Sequence, residues 1–248
     1  MNLADPPKAY SHPSPAWQIR LMALGYHIPR CLHVVAQLDI ATRLSEGGRT
    51  ASDLALEAGA HGPTLHRVLR ALASAGVFKE TSGGQFVNTS LSETLRADCP
   101  DSMRPWVLMY GDEASWRSWG EFAYSVRTGA PAFEHLYGTS LFEHLARDPQ
   151  QSRIFDEAMS AVTSLASGAI VRAYDFSDIG LLVDVGGGNG TMLCSILKAN
   201  PATRGIVFDL PHVRASAAAY IARQGLENRC EFAEGDFFKA AHPGADAY

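Results

Sequence analysis

The chain has 248 residues, 46% of them hydrophobic and 19% charged, which is typical of a globular protein with a buried core and excludes a disordered, collagen-like or coiled-coil chain. Its formal net charge of −5 lacks the basic excess that nucleic acid or an anionic membrane attracts, so we expect partners that are small molecules or proteins. The four cysteines, Cys31, Cys99, Cys194 and Cys230, are scattered along the chain, and no histidines cluster at the spacing of metal ligands. We therefore predict reduced thiols, with neither a disulfide framework nor a metal site.

The length leaves room for two small domains. The first residues lack the apolar segment of a signal peptide. Apolar-rich stretches such as residues 158–171 are interrupted by Ser and Thr and fall short of the ~20 residues of a membrane span. We therefore predict a cytoplasmic protein without membrane contact.

Residues 1–100 are predicted to form a domain of short helices followed by a small hairpin. Apolar residues at helical spacing indicate helices over residues 17–28 and 31–45. Thr50 has the residue type and the following acid of a helix start, and another helix follows soon after. Residues 77–88 alternate as a hairpin does around a Gly-Gly turn. The pattern predicts a winged-helix-like domain that is otherwise all-helical.

The helix that follows the one started by Thr50 begins at Gly62. A DNA-binding interpretation would place its residues 64–75 in a major groove. That helix offers little positive charge, from His66, Arg67 and Arg70 alone. The preceding helix carries two acids that DNA phosphates would repel, Asp53 and Glu57. A module for packing or dimerisation is therefore favoured, while a winged-helix regulator with a ligand-sensing domain remains the alternative.

Residues 101–175 are predicted to be a helical block with a dense supply of large aromatic side chains, which form either a core or a pocket for a flat organic ligand. Residues 176–248 change period and read as alternating strands and helices. Continuous apolar runs indicate buried parallel strands over residues 181–185, 205–210 and 230–232. The sequence therefore predicts an α/β domain, the first half of a doubly wound sheet.

Glycines fill the turn that follows the first of these strands, in residues 183–190. A strand, a glycine turn and a helix start place backbone N–H groups where a ligand approaches without obstruction by a Cβ atom. Asp209 and Asp236, with Phe237, follow the next two strands on the same rim, where acids bind the ribose and adenine of a nucleoside cofactor. Thr191 stands where the dinucleotide pattern has its third glycine, so S-adenosylmethionine is favoured over NAD, and a nicotinamide-dependent oxidoreductase is a second alternative.

Together, residues 183–190, 208–213 and 234–238 resemble the cofactor motifs of the small-molecule O-methyltransferases, the plant phenolic and bacterial polyketide-tailoring class. The resemblance implies a Rossmann-like domain preceded by a winged-helix-like dimerisation domain, and hence a homodimer. It also implies methyl transfer from S-adenosylmethionine to a hydroxyl of an aromatic or polyketide-like small molecule in secondary metabolism. The implied cofactor-binding residues are Asp184, Gly186, Gly187, Gly188, Asp209, Leu210, Asp236 and Phe237, and the implied acceptor residues are Phe155 and Met159 of a Phe-x-x-x-Met motif.

The chain departs from the family's pattern at its end, where residues 245–248 read as the opening of a fourth strand. We expect the later strands, the general-base histidine and its partner acid to lie beyond Tyr248, so no catalytic residue is predicted here. A truncated or incomplete chain is the corresponding hypothesis. It also predicts that the strand over residues 181–185 has an unprotected apolar edge.

Overall fold

The computed structural model describes residues 14–100, 102–239 and 244–248. They fall into two compact units, one that ends at Ser92 and one that begins at Glu93. The second unit holds both the helical block and the parallel sheet. The predicted divisions at residues 100 and 175 stay predictions.

The first unit consists of short helices and a three-stranded antiparallel sheet. Its elements are α1 (Pro15–Ala23), α2 (His27–Gln37), α3 (Ile40–Arg43), β1 (Arg49–Thr50), α4 (Ala51–Ala58), α5 (Gly62–Ser74), β2 (Phe78–Glu80), β3 (Gln85–Asn88) and, running into the second unit, α6 (Ser90–Glu93). The sheet order is β1-β3-β2, with Lys79 opposite Val87. The core is fully buried and apolar: Ile40, Leu54, Leu69, Leu72, Phe78 and Phe86.

Helix α4 starts as predicted, because the Thr50 hydroxyl accepts the Asp53 N–H at 3.2 Å and donates to its carboxylate at 2.7 Å. The predicted hairpin is confirmed as β2 and β3. The expectation of an otherwise all-helical domain is wrong, since the two-residue strand β1 pairs with β3. The predicted helix over residues 31–45 is also wrong in its extent: Asp39 adopts φ +52° and separates α2 from α3.

The helices that precede the parallel sheet are α7 (Arg104–Gly111), α8 (Glu113–Gly120), α9 (Phe122–Thr128), α10 (Ala132–Tyr137), α11 (Leu141–Arg147) and α12 (Pro149–Ala173). Helix α12 packs against α7 and α11. Its 25 residues correct the expectation that the apolar stretch here is too short, because by length and composition alone α12 is able to cross a membrane. That indication is weak, since a long core helix of a soluble protein passes the same test.

The sheet consists of three parallel strands in the order β4-β5-β6, with helices between them. Its elements are β4 (Leu181–Val185), α13 (Thr191–Ala199), β5 (Arg204–Asp209), a 3₁₀ turn at Pro211–Val213, α14 (Arg214–Arg223) and β6 (Cys230–Glu234). Its core is buried against α13 and α14: Leu193, Leu197, Val207 and Ile221. The strand–helix alternation predicted from the sequence is confirmed.

The outer edge of β4 is partly covered, which corrects the expectation of an unprotected edge. Ala247 forms an isolated parallel bridge with Leu182, and its carbonyl oxygen accepts the Val183 N–H at 3.0 Å. The Asp246 carboxylate accepts the Leu181 N–H at 2.7 Å. Asp246 and Ala247 therefore lie beside the first half of β4.

Candidate functional site

The glycine loop between β4 and α13 has the backbone of a ligand cradle. Gly186, Gly188 and Gly190 have φ values of +68°, +56° and +83°, which side chains with a Cβ rarely adopt. The Gly186 N–H donates to the Phe208 carbonyl at 2.8 Å, so the loop is fixed to β5. A Cβ at Gly190 would lie 2.9 Å from Val207, whereas a Cβ at Gly188 would have no atom within 4 Å. Gly190 is thus needed for packing, and Gly188 faces open space.

Asp209, at the end of β5, is bound to the backbone of this loop. One carboxylate oxygen accepts the Gly188 N–H at 2.8 Å, and the other accepts the Leu210 N–H at 2.7 Å. The side chain is half-buried. Because a carboxylate oxygen is able to accept two hydrogen bonds, Asp209 holds the loop and still has capacity for ligand hydroxyls.

Asp184 lies in β4, directly beneath the loop. Its Oδ2 is buried and has no hydrogen-bond partner among the described residues. Gly187 covers it so closely that a Cβ there would lie 2.8 Å from the Asp184 Cγ. Burial, reinforced by the negative charge of Asp209, raises the pKa of Asp184 to about 6. The loop therefore covers a buried carboxylate oxygen that lacks a hydrogen-bond partner among the described residues.

Asp236 and Phe237 lie on the same rim, after β6. The Gly235 N–H donates to the Asp209 carbonyl at 2.9 Å, which holds the exits of β6 and β5 together. Phe237 is 49% exposed, and its ring edge lies 3.4 Å from the position of a Cβ on Gly186. Asp236 accepts the Phe238 N–H and pairs with Lys239 at 3.0 Å, which lowers the pKa of its carboxyl.

A cavity of about 550 Å³ lies among the helices of the second unit, and both residues of the Phe-x-x-x-Met motif line it. Phe155 also makes an edge-on contact with Phe142, with ring centroids 6.0 Å apart. The other large apolar side chains of the wall are Met109, Tyr110, Phe133, Tyr137, Leu141 and Leu145. The structure therefore brings Phe155 and Met159 to a pocket of a size suited to a small aromatic molecule.

The polar part of the cavity wall was not predicted from the sequence. Asp112 and Asp148 line it, and each caps the helix that follows, α8 and α12 respectively. Glu113 and His144 line it too, and the His144 ring meets the ring of Phe133 edge-on. No Lys or Arg is among the described residues that line it. Helix-capping patterns in the sequence are able to predict Asp112 and Asp148 as N-caps, but no sequence pattern indicates that these polar residues line the same cavity.

A hydrogen-bonded chain joins the cavity helix α12 to the glycine loop. The Asn189 amide donates to the Ser160 hydroxyl at 2.7 Å, and its carbonyl oxygen accepts the Thr191 hydroxyl at the same distance. Ser160 in turn donates to the Asp156 carbonyl at 2.6 Å. Burial raises the pKa of the Asp156 carboxyl, and the charge of Asp209 adds to the effect. Neither Asp156 nor Ser160 was predicted to be a site residue.

Among the residues that the structure describes, no group of three His, Cys, Asp or Glu side chains is placed to hold a metal ion. The site therefore consists of a glycine loop, the carboxylates around it and an aromatic cavity, joined by the Asn189–Ser160 hydrogen bond. This combination is what the cofactor and acceptor sites of a small-molecule transferase require.

Two family models match the chain. The O-methyltransferase domain matches residues 119–248, and the O-methyltransferase dimerisation domain matches residues 21–98. The chain belongs to the O-methyltransferase family. This confirms the resemblance stated from the sequence motifs, and the matches favour neither a DNA-binding regulator nor a nicotinamide-dependent oxidoreductase.

Two similar curated proteins come from bacteria. The phenazine O-methyltransferase PhzM of Lysobacter antibioticus is 42% identical over 92% of this chain and 66% of its own length. The mitomycin biosynthesis 6-O-methyltransferase of Streptomyces lavendulae is 37% identical over 88% of this chain and 63% of its own length. The chain thus spans slightly less than two thirds of these relatives.

Solved O-methyltransferase structures share the fold. LaPhzM superimposes with a TM-score of 0.90 at 40% identity, covering 94% of this chain and 70% of its own. Human N-acetylserotonin methyltransferase, in complex with S-adenosylmethionine, gives a TM-score of 0.85 at 28% identity, covering 95% and 70%. A dimerisation domain followed by a methyltransferase domain, as predicted, is therefore the architecture.

Proposed function

We propose that this chain transfers a methyl group from S-adenosylmethionine to a hydroxyl of an aromatic or polyketide-like small molecule. The observation that carries the proposal is the hydrogen bond between Asn189 and Ser160. It joins the glycine loop to Ser160, and the preceding residue, Met159, lines the cavity. A methyl donor on the loop and a flat acceptor in the cavity then share one helix, α12.

The residues of the loop fit the cofactor. Gly188 leaves space that a Cβ would fill, and the Asp184 carboxyl directly beneath the loop adds negative charge near the amino-acid end of the cofactor. Asp209 has carboxylate capacity for the ribose hydroxyls, Leu210 lies beside it, and Phe237 offers a half-exposed ring for the adenine. With Gly186, Gly187 and Asp236, these are the residues that we propose bind the cofactor.

When bound, S-adenosylmethionine supplies the methyl group on a sulfonium, from which a neutral thioether is a good leaving group. The work left to the protein is to hold the acceptor oxygen in line with the methyl carbon, to exclude water and to take up the proton of the acceptor hydroxyl. We assign the first two tasks to this chain and propose none of its residues as the general base. Phe155 and Met159 carry out these two tasks at the cavity wall, and the thioether of Met159 adapts to the face of an aromatic ring.

Relatives support the class of acceptor. A structure of the O-methyltransferase NcsB1 contains S-adenosylmethionine together with 2-hydroxy-5-methyl naphthoic acid, at 36% identity to this chain. Another relative is named a 3-amino-4-hydroxybenzoate 4-O-methyltransferase. The aromatic cavity wall of this chain suits a flat ring of comparable size, in a pathway of secondary metabolism.

The first unit is proposed to be a winged-helix-like dimerisation module, and the parallel sheet to be the first half of a doubly wound sheet. Two helices followed by the β2–β3 hairpin support the first assignment. An apolar surface on α1 supports a homodimer, since Trp17, Ile19 and Met22 are 49%, 66% and 73% exposed. A cytoplasmic location accords with the free thiols.

Calorimetric titration with S-adenosylhomocysteine tests the proposal. Asp209→Ala and Asp209→Asn should each weaken binding by about 1.5–3 kcal/mol, because charge-assisted hydrogen bonds to the ribose are lost. Glu227→Ala is the matched control, since Glu227 is an exposed acid in the turn before β6. Equal affinities of the wild-type chain and both Asp209 variants would remove Asp209 from the cofactor site, and no binding to the wild-type chain would refute the proposed function.

A further inference from the structure

The helix α12 has two polar residues directly beside its two cavity residues. Phe155 and Met159 are four residues apart and line the cavity, and Asp156 and Ser160 follow each of them by one position. A step of one residue turns the helix by ~100°, so the two pairs form adjacent stripes. One stripe serves the acceptor cavity, and the other contacts the glycine loop and the start of α14.

The contact with the loop uses both ends of the Asn189 side chain. Its amide donates to the Ser160 hydroxyl at 2.7 Å, while its oxygen accepts both the N–H and the hydroxyl of Thr191. Thr191 is buried at the first turn of α13, so its position is fixed by packing. Asn189 itself is half-buried and is held between that fixed point and α12.

The opposite side of the same loop is held by the carboxylate that we assign to the ribose. The Gly188 N–H donates to Asp209 at 2.8 Å, one residue before Asn189. A ligand that binds Asp209 and Gly188 therefore acts on a backbone whose next side chain is bonded to α12. The Asn189–Ser160 hydrogen bond thus connects the loop directly to the helix turn that carries Met159, beside the packing of α13 against α12.

We propose that Asn189 and Ser160 are positioning residues that couple the two halves of the site, so that a ligand on the glycine loop orders the Met159 turn of α12 before an acceptor enters the cavity. The inference rests on the proposed function, since it takes S-adenosylmethionine as the loop ligand. Ser160 and Asn189 do not themselves react in it. They transmit the ordering of the loop to the wall against which the acceptor ring packs.

Hydrogen–deuterium exchange with mass spectrometry tests this without an acceptor. In the wild-type chain, S-adenosylhomocysteine should slow exchange both in the loop peptide, residues 186–192, and in the helix peptide, residues 155–163. Ser160→Ala removes the acceptor of the bond, and Asn189→Ala removes its donor. In both variants we expect protection to stay in the loop and to fall about fivefold in the helix peptide, the factor that one net hydrogen bond supplies.

Two controls separate coupling from a loss of helix stability. Ser167→Ala removes the same kind of bond within α12, from a serine hydroxyl to the carbonyl four residues earlier, at 2.7 Å and away from the loop. Ser160→Thr restores a hydroxyl at the coupling position. Both should retain the ligand-induced protection of residues 155–163, and thermal melts confirm that each variant is folded.

The outcomes distinguish this inference from the proposed function. If the wild-type chain shows no heat of binding and no protection with S-adenosylhomocysteine, the proposed function and the coupling both fail. If the ligand binds but residues 155–163 are unprotected in the wild-type chain, or stay protected in Ser160→Ala and Asn189→Ala, the coupling alone fails. Loss of protection in Ser167→Ala as well would attribute the effect to helix stability and would likewise overturn the coupling.

Discussion

Alanine substitutions at Gly188 and Gly190 should separate ligand approach from packing within a single loop. Both residues have positive φ values, +56° and +83°, so a Cβ at either costs about 1–2 kcal/mol of backbone strain. The neighbouring atoms differ. At Gly190 the new Cβ would lie 2.9 Å from the Val207 methyl, and at Gly188 it would have no atom within 4 Å.

These distances set the expected magnitudes. Gly190→Ala adds about 1–3 kcal/mol of overpacking against Val207 to the backbone strain, so the free energy of unfolding should fall by about 2–5 kcal/mol. At roughly 3 °C per kcal/mol for a chain of this size, Tm should fall by about 6–15 °C. Gly188→Ala has the backbone strain alone and should lower Tm by about 3–6 °C. Its Cβ nevertheless occupies space proposed for the cofactor, so affinity for S-adenosylhomocysteine should fall at least ~10-fold.

Differential scanning calorimetry and isothermal titration measure the two effects separately. Gly129→Ala is the control, because Gly129 ends α9 at φ +76°, a Cβ there would have no atom within 4 Å, and the residue lies outside the loop. It should match Gly188→Ala in Tm and the wild-type chain in affinity. Equal stability of the Gly188 and Gly190 variants, or wild-type affinity in Gly188→Ala, would refute the roles assigned to these glycines.

Charge and surface packing lead to three more expected outcomes. Because the pKa of Asp184 is raised to about 6, the folded chain binds this proton more tightly than the unfolded chain does. The free energy of unfolding should therefore fall by up to ~3 kcal/mol as pH rises from about 4 to 6. Urea titrations should show a smaller change with pH for Asp184→Asn. Asp148→Asn keeps a helix cap but removes a charge from the cavity, so tryptophan fluorescence should show a severalfold gain in affinity for 2-hydroxy-5-methyl naphthoic acid and little change for 2,7-dihydroxynaphthalene. Met22→Glu on α1 should shift the proposed dimer toward monomer in sedimentation velocity, and an unchanged sedimentation coefficient would contradict that interface.

The parts of the fold that the sequence predicted well are set by short-range patterns. A continuous apolar run followed by glycines fixes β4 at Leu181–Val185, and α13 follows at Thr191–Ala199, in keeping with the predicted alternation of strands and helices. Thr50 starts α4 through a hydrogen bond to a residue only three positions on. In each case the residues that decide the structure lie within one or two turns of each other, so composition and spacing suffice.

The errors arise where a distant segment decides the local structure. The strand β1 has only two residues and exists because β3, which follows two further helices and a strand, pairs Phe86 with Arg49. The break at Asp39 differs, because a local contact stabilises it: the Thr42 hydroxyl donates to the Asp39 carboxylate at 2.7 Å, in a run whose apolar spacing is helical on both sides. The cover on β4 comes from Asp246, 65 positions after Leu181. None of these pairings leaves a periodic trace in the sequence.

The candidate site shows the same division along a single helix. Phe155 and Met159 were predicted because their spacing of four matches a motif, and a motif is a local pattern. Ser160 was not, because its partner Asn189 lies 29 positions away across a change from helix to strand. A pair of polar residues beside an apolar pair on one helix ordinarily faces solvent or hydrogen-bonds within its own helix. Ser160 does hydrogen-bond within α12, since its hydroxyl donates to the Asp156 carbonyl. Only the position of the glycine loop gives that pair a second role, so the coupling between cofactor and acceptor becomes visible only once β4, α12 and α13 are placed together.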